Sequence, residues 1–422
     1  MDDQCSRLRG NRTREKGSLM FRRPQCLLLL TTLGSLCGAV VAAVLPQIAK
    51  QHLHASPGLL GCYGFAHSFL YVFSAWGSGR LADRFGHRIV LTLAFVLLAV
   101  GFASSLVTLR PLLFFIPFGV TGLAFGAVWP SIESAFIEGQ GPGQMKRATG
   151  YFNYCWLGVL ATGGVIGSEV YEKNLFVPLW SAVGMAAAMA VLVNIPRALE
   201  IVPWGKESLL GRGDRVPAAT RRLFIKLALM ANLVSYFLIA NLRALLPEYT
   251  ENPLVHITGW RYGLLVSGIT IGMFLSNTIL MRWHRWHYSL RYLVGVESAA
   301  AVFLVVFVMS DWYPLLVALT VLMGFPAGLI YFSSLFYGME LSEKKGAHGG
   351  NHEGLIGVGS AAGPLMGGWV IALCQGAGAG FAARGNLFLC AALFAAVALT
   401  QVLLTLRAAR AGRTSGVGAD AS

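Results

Sequence analysis

Hydrogen-bonding and ionisable side chains buried inside long apolar runs are the residues of this sequence best placed to do chemistry. His67, Asn232, Tyr236 and Arg243 sit in such runs, as do Trp129, Asn153 and Tyr331. Three acids, Glu133, Glu297 and Glu353, share that setting. In hydrocarbon these groups are expensive unless they face water, a solute or a protein partner. The chemistry on offer is proton exchange and solute hydrogen bonding. No nucleophile–base constellation is legible, so nothing points to an enzyme.

Each of these residues has a plainer reading beside the functional one. His67 lies mid-run, with Tyr63 and Tyr71 four residues to either side on one helical face. Either it carries a proton near neutral pH or it donates to the carbonyl of a neighbouring helix. Asn232 and Tyr236 share a face, and Arg243 follows towards the end of that run. Arg243 either attracts an anionic solute or snorkels to the interface. Glu133, Glu297 and Glu353 are candidates for carrying protons. Glu133 and Glu353 also lie near basic segments, where a gate of ion pairs with Asp83, Arg84, Lys146 or Arg147 explains them as well. For Glu353 gating is the first choice.

The elements that must position these groups are apolar segments of membrane-spanning length, about 20 residues each. Twelve can be marked: 26–45, 57–78, 88–107, 111–136, 147–171 and 176–195, then 223–246, 260–281, 290–309, 314–337, 352–374 and 386–406. The fold class is therefore all-α and membrane-embedded. Arg22 and Arg23 precede the first run as in a secretory signal, but no convincing small-residue cleavage site follows, so an uncleaved first helix is expected. The polar remainder divides into a basic tail (1–25), a linker (196–222) and a second tail (407–422), flanking six-helix units at 26–195 and 223–406.

Between the second and third runs lie Gly79, Arg80, Asp83, Arg84, Gly86 and Arg88, spaced G-x-L-A-D-R-x-G-x-R. So much charge in so short a polar turn belongs at a membrane face. The pattern resembles the loop 2–3 signature of the major facilitator superfamily of secondary transporters, with His87 where a basic residue is usual. The resemblance implies a twelve-helix fold, a small-molecule solute and a conformational role for the motif, in which Asp83 helps to lock one state. A second segment, Gly359, Gly363, Pro364, Gly367 and Gly368 (G-x-x-x-G-P-x-x-G-G), looks like the antiporter motif of that superfamily. It stands on helix 11, whereas exporters usually carry it on helix 5, and Phe118 occupies the place of their helix-4 arginine. The superfamily is implied; the exporter subfamily is left open.

Charge placement predicts orientation. With the N-terminus inside, 27 of the 33 Lys and Arg fall in cytoplasmic segments and five outside, with Arg243 within a span. Both termini are thus expected in the cytoplasm, of a bacterial inner membrane. The halves are also copies. Leu45-Pro46 matches Leu246-Pro247, Tyr63-Gly64 matches Tyr262-Gly263, Gly122 and Gly126 match Gly324 and Gly328, and Gly150, Gly163 and Gly167 match Gly350, Gly363 and Gly367. All offsets lie between 199 and 202. Transporters place their solute site where such repeats meet.

Composition narrows the partners. The net charge of +14 sits in topogenic positions, and only 12% of residues are charged, so nucleic acid is not expected. The seven cysteines show no C-x-x-C spacing. His348, His352 and Glu353 invite a metal reading, but two glycines interrupt them and a loop with Asn351 as N-cap is the plainer account. No G-x-x-x-x-G-K-[ST] loop is present, which argues against ATP-driven transport. Neither cofactor nor metal is expected. The favoured function is secondary active transport of a small solute by a rocking monomer in the lipid bilayer, with a proton as candidate coupling ion. The rival is a non-transporting membrane sensor or assembly subunit on the same fold.

Overall fold

Helix 1 does not run straight. In the computed structural model, Pro24–Ala39 passes through a π-helical turn, Val40–Val44, into Leu45–Gln51, and these three pieces form one continuous α1. Pro46 has no N–H to donate, and a π-turn just before it accommodates the break in the ladder. The structure describes residues 24–108, 110–137, 142–195, 217–250, 257–283, 285–341, 345–377 and 379–416.

The first half continues with α2 (Pro57–Phe85), α3 (His87–Val107), α4 (Phe115–Ile137), α5 (Pro142–Lys173) and α6 (Phe176–Leu192). The second half comprises α7 (Ala218–Thr250), α8 (Gly259–Leu280), α9 (Leu290–Val308), α10 (Tyr313–Leu341), α11 (Lys345–Cys374) and α12 (Ala379–Gly416). Among the described residues there is no strand. Among the described residues nine helices are long and apolar enough to cross a membrane; α6 is shorter, and α2 and α5 are less apolar. The last two form the seams between the halves, while side chains such as Phe69 of α2 and Ile166 of α5 stay exposed.

Two expectations about loops are corrected. The segment from Gly79 is no polar turn: α2 continues through Phe85, and only Gly86, at φ +84°, separates it from α3. A positive φ is the conformation glycine adopts without strain. Likewise the residues from His348 to Glu353 form no loop, because α11 is helical from Lys345. Helix carries on past the bilayer width where a polar helix can solvate its own flanks. The start of α2 follows the expected chemistry, with the Ser56 side chain accepting from Leu59 N–H and Pro57 at the first helical position.

Each half has its own core. One is built around Phe95, Phe102, Phe114 and Phe136, the other around Tyr262, Leu304, Ile330 and Phe394. Large side chains such as Phe73, Trp180 and Leu373 point outward, as lipid-facing surface requires. Since hydrocarbon gives helices no hydrophobic reason to associate, close approach through small residues must do that work. A Cβ on Gly122 would collide with the His67 carbonyl oxygen, and one on Gly126 with that of Tyr71, fixing α4 on α2. In the second half Gly324 lies against the Ile269 carbonyl and Gly272, and Gly328 against Ser276, fixing α10 on α8.

The halves meet along two seams, α2 with α11 and α5 with α8. Gly64 packs on Pro364 in the first, and Gly164 on Ser267 and Gly263 in the second. These are equivalent positions of the repeat, so the molecule has an approximate two-fold axis between the seams. The start of α1, the end of α6, the start of α7 and the end of α12 share one face of the bundle, the terminal face. The end of α1, the start of α2, the end of α7 and the start of α8 lie on the opposite face.

Candidate solute cavity

A cavity of about 210 Å³ opens between the halves, near mid-length of the helices. The first half contributes His67, Ser68 and Tyr71 from α2, Trp129 and Glu133 from α4, and Phe152 and Trp156 from α5. From the second come Tyr236 and Arg243 on α7, Tyr331 on α10, and Glu353, Ser360 and Pro364 on α11. Pro46 and the π-turn of α1 close another side. The walls are mainly aromatic. Phe125 stacks on Trp129 at 6.0 Å, Phe152 on Trp156 at 6.3 Å, and Trp156 reaches Tyr331 of the other half at 5.5 Å.

Two acids project into this space, and each takes its partner from the opposite half. The Tyr71 hydroxyl on α2 donates to Glu353 Oε2 on α11. Tyr331 on α10 donates to Glu133 Oε1 on α4 at 3.4 Å. Among the described residues neither acid meets a cation, and their polar partners are tyrosine hydroxyls. Helix length sets Glu353 apart: α11 already begins at Lys345, eight residues or about 12 Å of rise before Glu353, which separates the acid from the basic segment. The side chains of Asp83, Lys146 and Arg147 lie outside the described residues, whereas Arg84 is exposed beside the Phe85 ring.

For His67 the plainer reading, a bond to the carbonyl of a neighbouring helix, is the one seen. The residue lines the cavity, and its Nδ1 lies 3.1 Å from the Phe118 carbonyl on α4. A carbonyl only accepts, so Nδ1 carries the proton of that bond; Thr121 Oγ1 is 3.3 Å away. Arg243 turns into the cavity instead of running to the interface, and donates from Nη2 to Thr270 Oγ1 of α8 at 3.0 Å. Among the described lining residues it is the sole lysine or arginine.

Other expected residues lie elsewhere. Asn232 and Asn153 are both fully buried, but neither lines the cavity. Asn232 sits one turn before Tyr236, past the last α7 residue that does, and Asn153 is turned away from the face that Phe152 and Trp156 present. Glu297 is buried within the second half, where Gln401 Nε2 of α12 donates to its Oε1 at 2.6 Å. It is not brought to the other two acids. The motif on α11 is a packing device with two faces. Gly359 and Gly363 lie against the Leu233 and Phe237 carbonyls of α7, while Pro364 and Gly368 face Gly61, Gly64 and Pro57 of α2. Asn241 braces it, donating to the Gly363 carbonyl at 2.9 Å.

Three features escaped the sequence reading. Tyr71 is a cavity residue in its own right, which its four-residue spacing from His67 would have suggested. Trp156 lies one turn along α5 from Phe152, a pattern indistinguishable from ordinary core. Lys50 Nζ and Glu248 Oε1 pair at 2.8 Å between α1 and α7, on the side away from the terminal face. Each follows the repeated Leu-Pro that ends helices 1 and 7, but at different steps, so the repeat register gave no signal of the pair.

Comparison with known proteins agrees with this architecture. The family model described as Major Facilitator Superfamily matches residues 27–350. No curated protein sequence matches the chain. Among solved structures, a point mutant of the nucleoside transporter NupG superposes with a TM-score of 0.67 at 12% identity, covering 90% of this chain and 99% of that one. The human organic anion transporter MFSD10 (TETRAN) gives 0.64 at 18% identity, over 90% and 99% of the two chains. At such identities the likeness speaks for the fold alone. With nine helices among the described residues able to span a bilayer and a family match over most of its length, this multi-pass integral membrane protein belongs to the major facilitator superfamily of membrane transporters.

Proposed function

We propose that the chain is a secondary active transporter that moves a small solute by rocking its two six-helix halves about the central cavity. The observation that carries this reading is the cavity itself: it lies between the repeats, near mid-depth, and both halves supply its polar groups. The six-helix units at 26–195 and 223–406 act as the rocking bodies. Rocking must break and remake contacts between halves, and among the described residues four polar ones are available: Tyr71 with Glu353, Tyr331 with Glu133, Lys50 with Glu248, and the Trp260 backbone N–H with Glu169.

The coupling ion in this reading is a proton on Glu133 and Glu353. Among the described residues the hydrogen bond that each acid makes to the opposite half comes from a tyrosine hydroxyl, so gaining or losing a proton changes a contact between the halves. The protein works as a monomer in the bacterial cytoplasmic membrane, with both termini cytoplasmic, a reading supported by the bias of Lys and Arg.

Solute flux in proteoliposomes, with and without a proton gradient, tests the proposal. Gradient-dependent flux is expected; absence of flux for every solute that binds would leave a sensor or assembly subunit. Orientation is tested separately in a cysteine-free background. Single cysteines near Pro57 and Arg212 should label from opposite sides, and equal labelling from outside would overturn the topology.

A further inference from the structure

The cavity is polarised along its length. Arg243 stands two helical turns beyond Tyr236 on α7, about 10 Å of rise. Tyr236 packs against Tyr331 at 6.2 Å, and Tyr331 holds Glu133. The cation therefore occupies one end and the two acids the other, with aromatic rings between.

The Arg243 guanidinium has more donors than its surroundings use. It carries five N–H groups in a planar fork, and the one hydrogen bond given to it among the described residues ends on a neutral hydroxyl, Thr270 Oγ1. No described carboxylate pairs with it, although Lys50 and Arg384 each find one. A partly buried cation without a counter-ion, aimed into an aromatic chamber, is costly unless an anion arrives to meet it.

We propose, building on the transporter reading, that the solute is an organic anion: a flat apolar body lying against the continuous aromatic wall of Phe125, Trp129, Phe152 and Trp156, with a carboxylate engaging Arg243. The fork geometry suits a bidentate carboxylate. The ring faces suit a planar body of the length that separates Arg243 from Tyr236. Charge count agrees with this class. Glu133 and Glu353 already accept from tyrosines at the far end, so a cationic head there would leave Arg243 unmet, whereas an anion meets it directly.

Three isosteric probes separate the possibilities: 2-naphthoate, its neutral amide 2-naphthamide, and cationic 2-naphthylmethylamine. Binding is measured on the purified protein by equilibrium dialysis against protein-free micelles of the same detergent. The expected order places naphthoate first, with Arg243→Gln weakening naphthoate about thirtyfold or more and leaving the amide nearly unchanged. Arg243→Lys, which keeps charge but loses the fork, should fall between. A matched melting temperature without ligand shows that the variants are folded. Stronger binding of the amine or amide, naphthoate binding indifferent to Arg243→Gln, or no binding of any probe by folded protein would overturn the proposal. Flux of naphthoate in proteoliposomes separates it from the transporter reading. Charge-selective binding without flux leaves the anion site standing and removes transport, whereas flux of the amine does the reverse.

Discussion

The α2–α11 seam and the α5–α8 seam are copies in backbone and strangers in chemistry. Both draw helices together on glycine, and at the end away from the terminal face both bring backbone to backbone. A Cβ on Gly61 would collide with the Pro364 carbonyl oxygen, and one on Gly263 would lie 2.6 Å from that of Gly164. Nearer the terminal face both are cushioned by side chains, Val72 and Trp76 against α11 and Phe274 and Met281 against α5. Of the two seams, by contrast, only α2–α11 lines the cavity with ionisable groups. His67 and Tyr71 of α2 correspond to Val266 and Thr270 of α8, and Glu353 of α11 to Asn153 of α5. Glu353 lines the cavity and Asn153 does not. In the transporter reading, duplication supplies a symmetric hinge, and divergence along one seam supplies a site. Rocking needs matched packing, while binding needs one sequence of donors and acceptors in one place.

The sharpest way to break this comparison is to exchange chemistry between the paired positions. Glu353→Ala should lower gradient-driven flux roughly a hundredfold, by removing a buried ionisable group from the cavity. Asn153→Ala, at the equivalent place, should leave flux within about threefold even if it changes stability. Equal losses would mean that the seams are chemically alike in function and that the asymmetry read from the cavity is irrelevant.

Packing offers the next test. Gly61→Ala must push α2 away from the α11 backbone and should cost about 1–3 kcal/mol in thermal unfolding, with a marked loss of flux. Gly150→Ala meets only the flexible end of Met281, at 2.5 Å, and should cost well under about 1 kcal/mol. The smallest effects belong to the hydroxyls. Tyr71→Phe and Tyr331→Phe each delete one cross-half hydrogen bond, worth about 0.5–1.5 kcal/mol, so flux should change by about two- to tenfold while insertion is unaffected. A larger change for Tyr331 than for Tyr71 would move the weight of coupling from Glu353 to Glu133.

What the sequence disclosed follows the same division. Apolar run length exposes the twelve helices because hydrocarbon forces every backbone group into helix, and the glycine register exposes the repeat because close approach tolerates no side chain. Helix ends were less legible. Polar residues after the membrane boundary continue as helix as readily as they turn, so the Gly79 and His348 segments read as loops when only Gly86 breaks the first and none of the second does. Within the cavity His67, Trp129, Tyr236, Arg243, Tyr331, Glu133 and Glu353 were legible as polar or amphipathic groups at mid-run. Asn153, Asn232 and Glu297 share that description yet face helix neighbours, because depth can be counted along a sequence and rotation about the helix axis cannot. The cross-half side-chain pairs were invisible for a related reason: partners 198 to 282 residues apart are joined only by the fold.

The central claim is that the halves separate at one face while the cavity exchanges its solute, and the Lys50–Glu248 pair gives the most direct access to it. Lys50→Cys and Glu248→Cys, placed together in a cysteine-free background and joined by a short bifunctional methanethiosulfonate reagent, would tie α1 to α7 on the side away from the terminal face. The account predicts that the cross-link abolishes flux in proteoliposomes, that reductant restores it, and that solute binding from the terminal face survives the link. Undiminished flux through the cross-linked protein would contradict it.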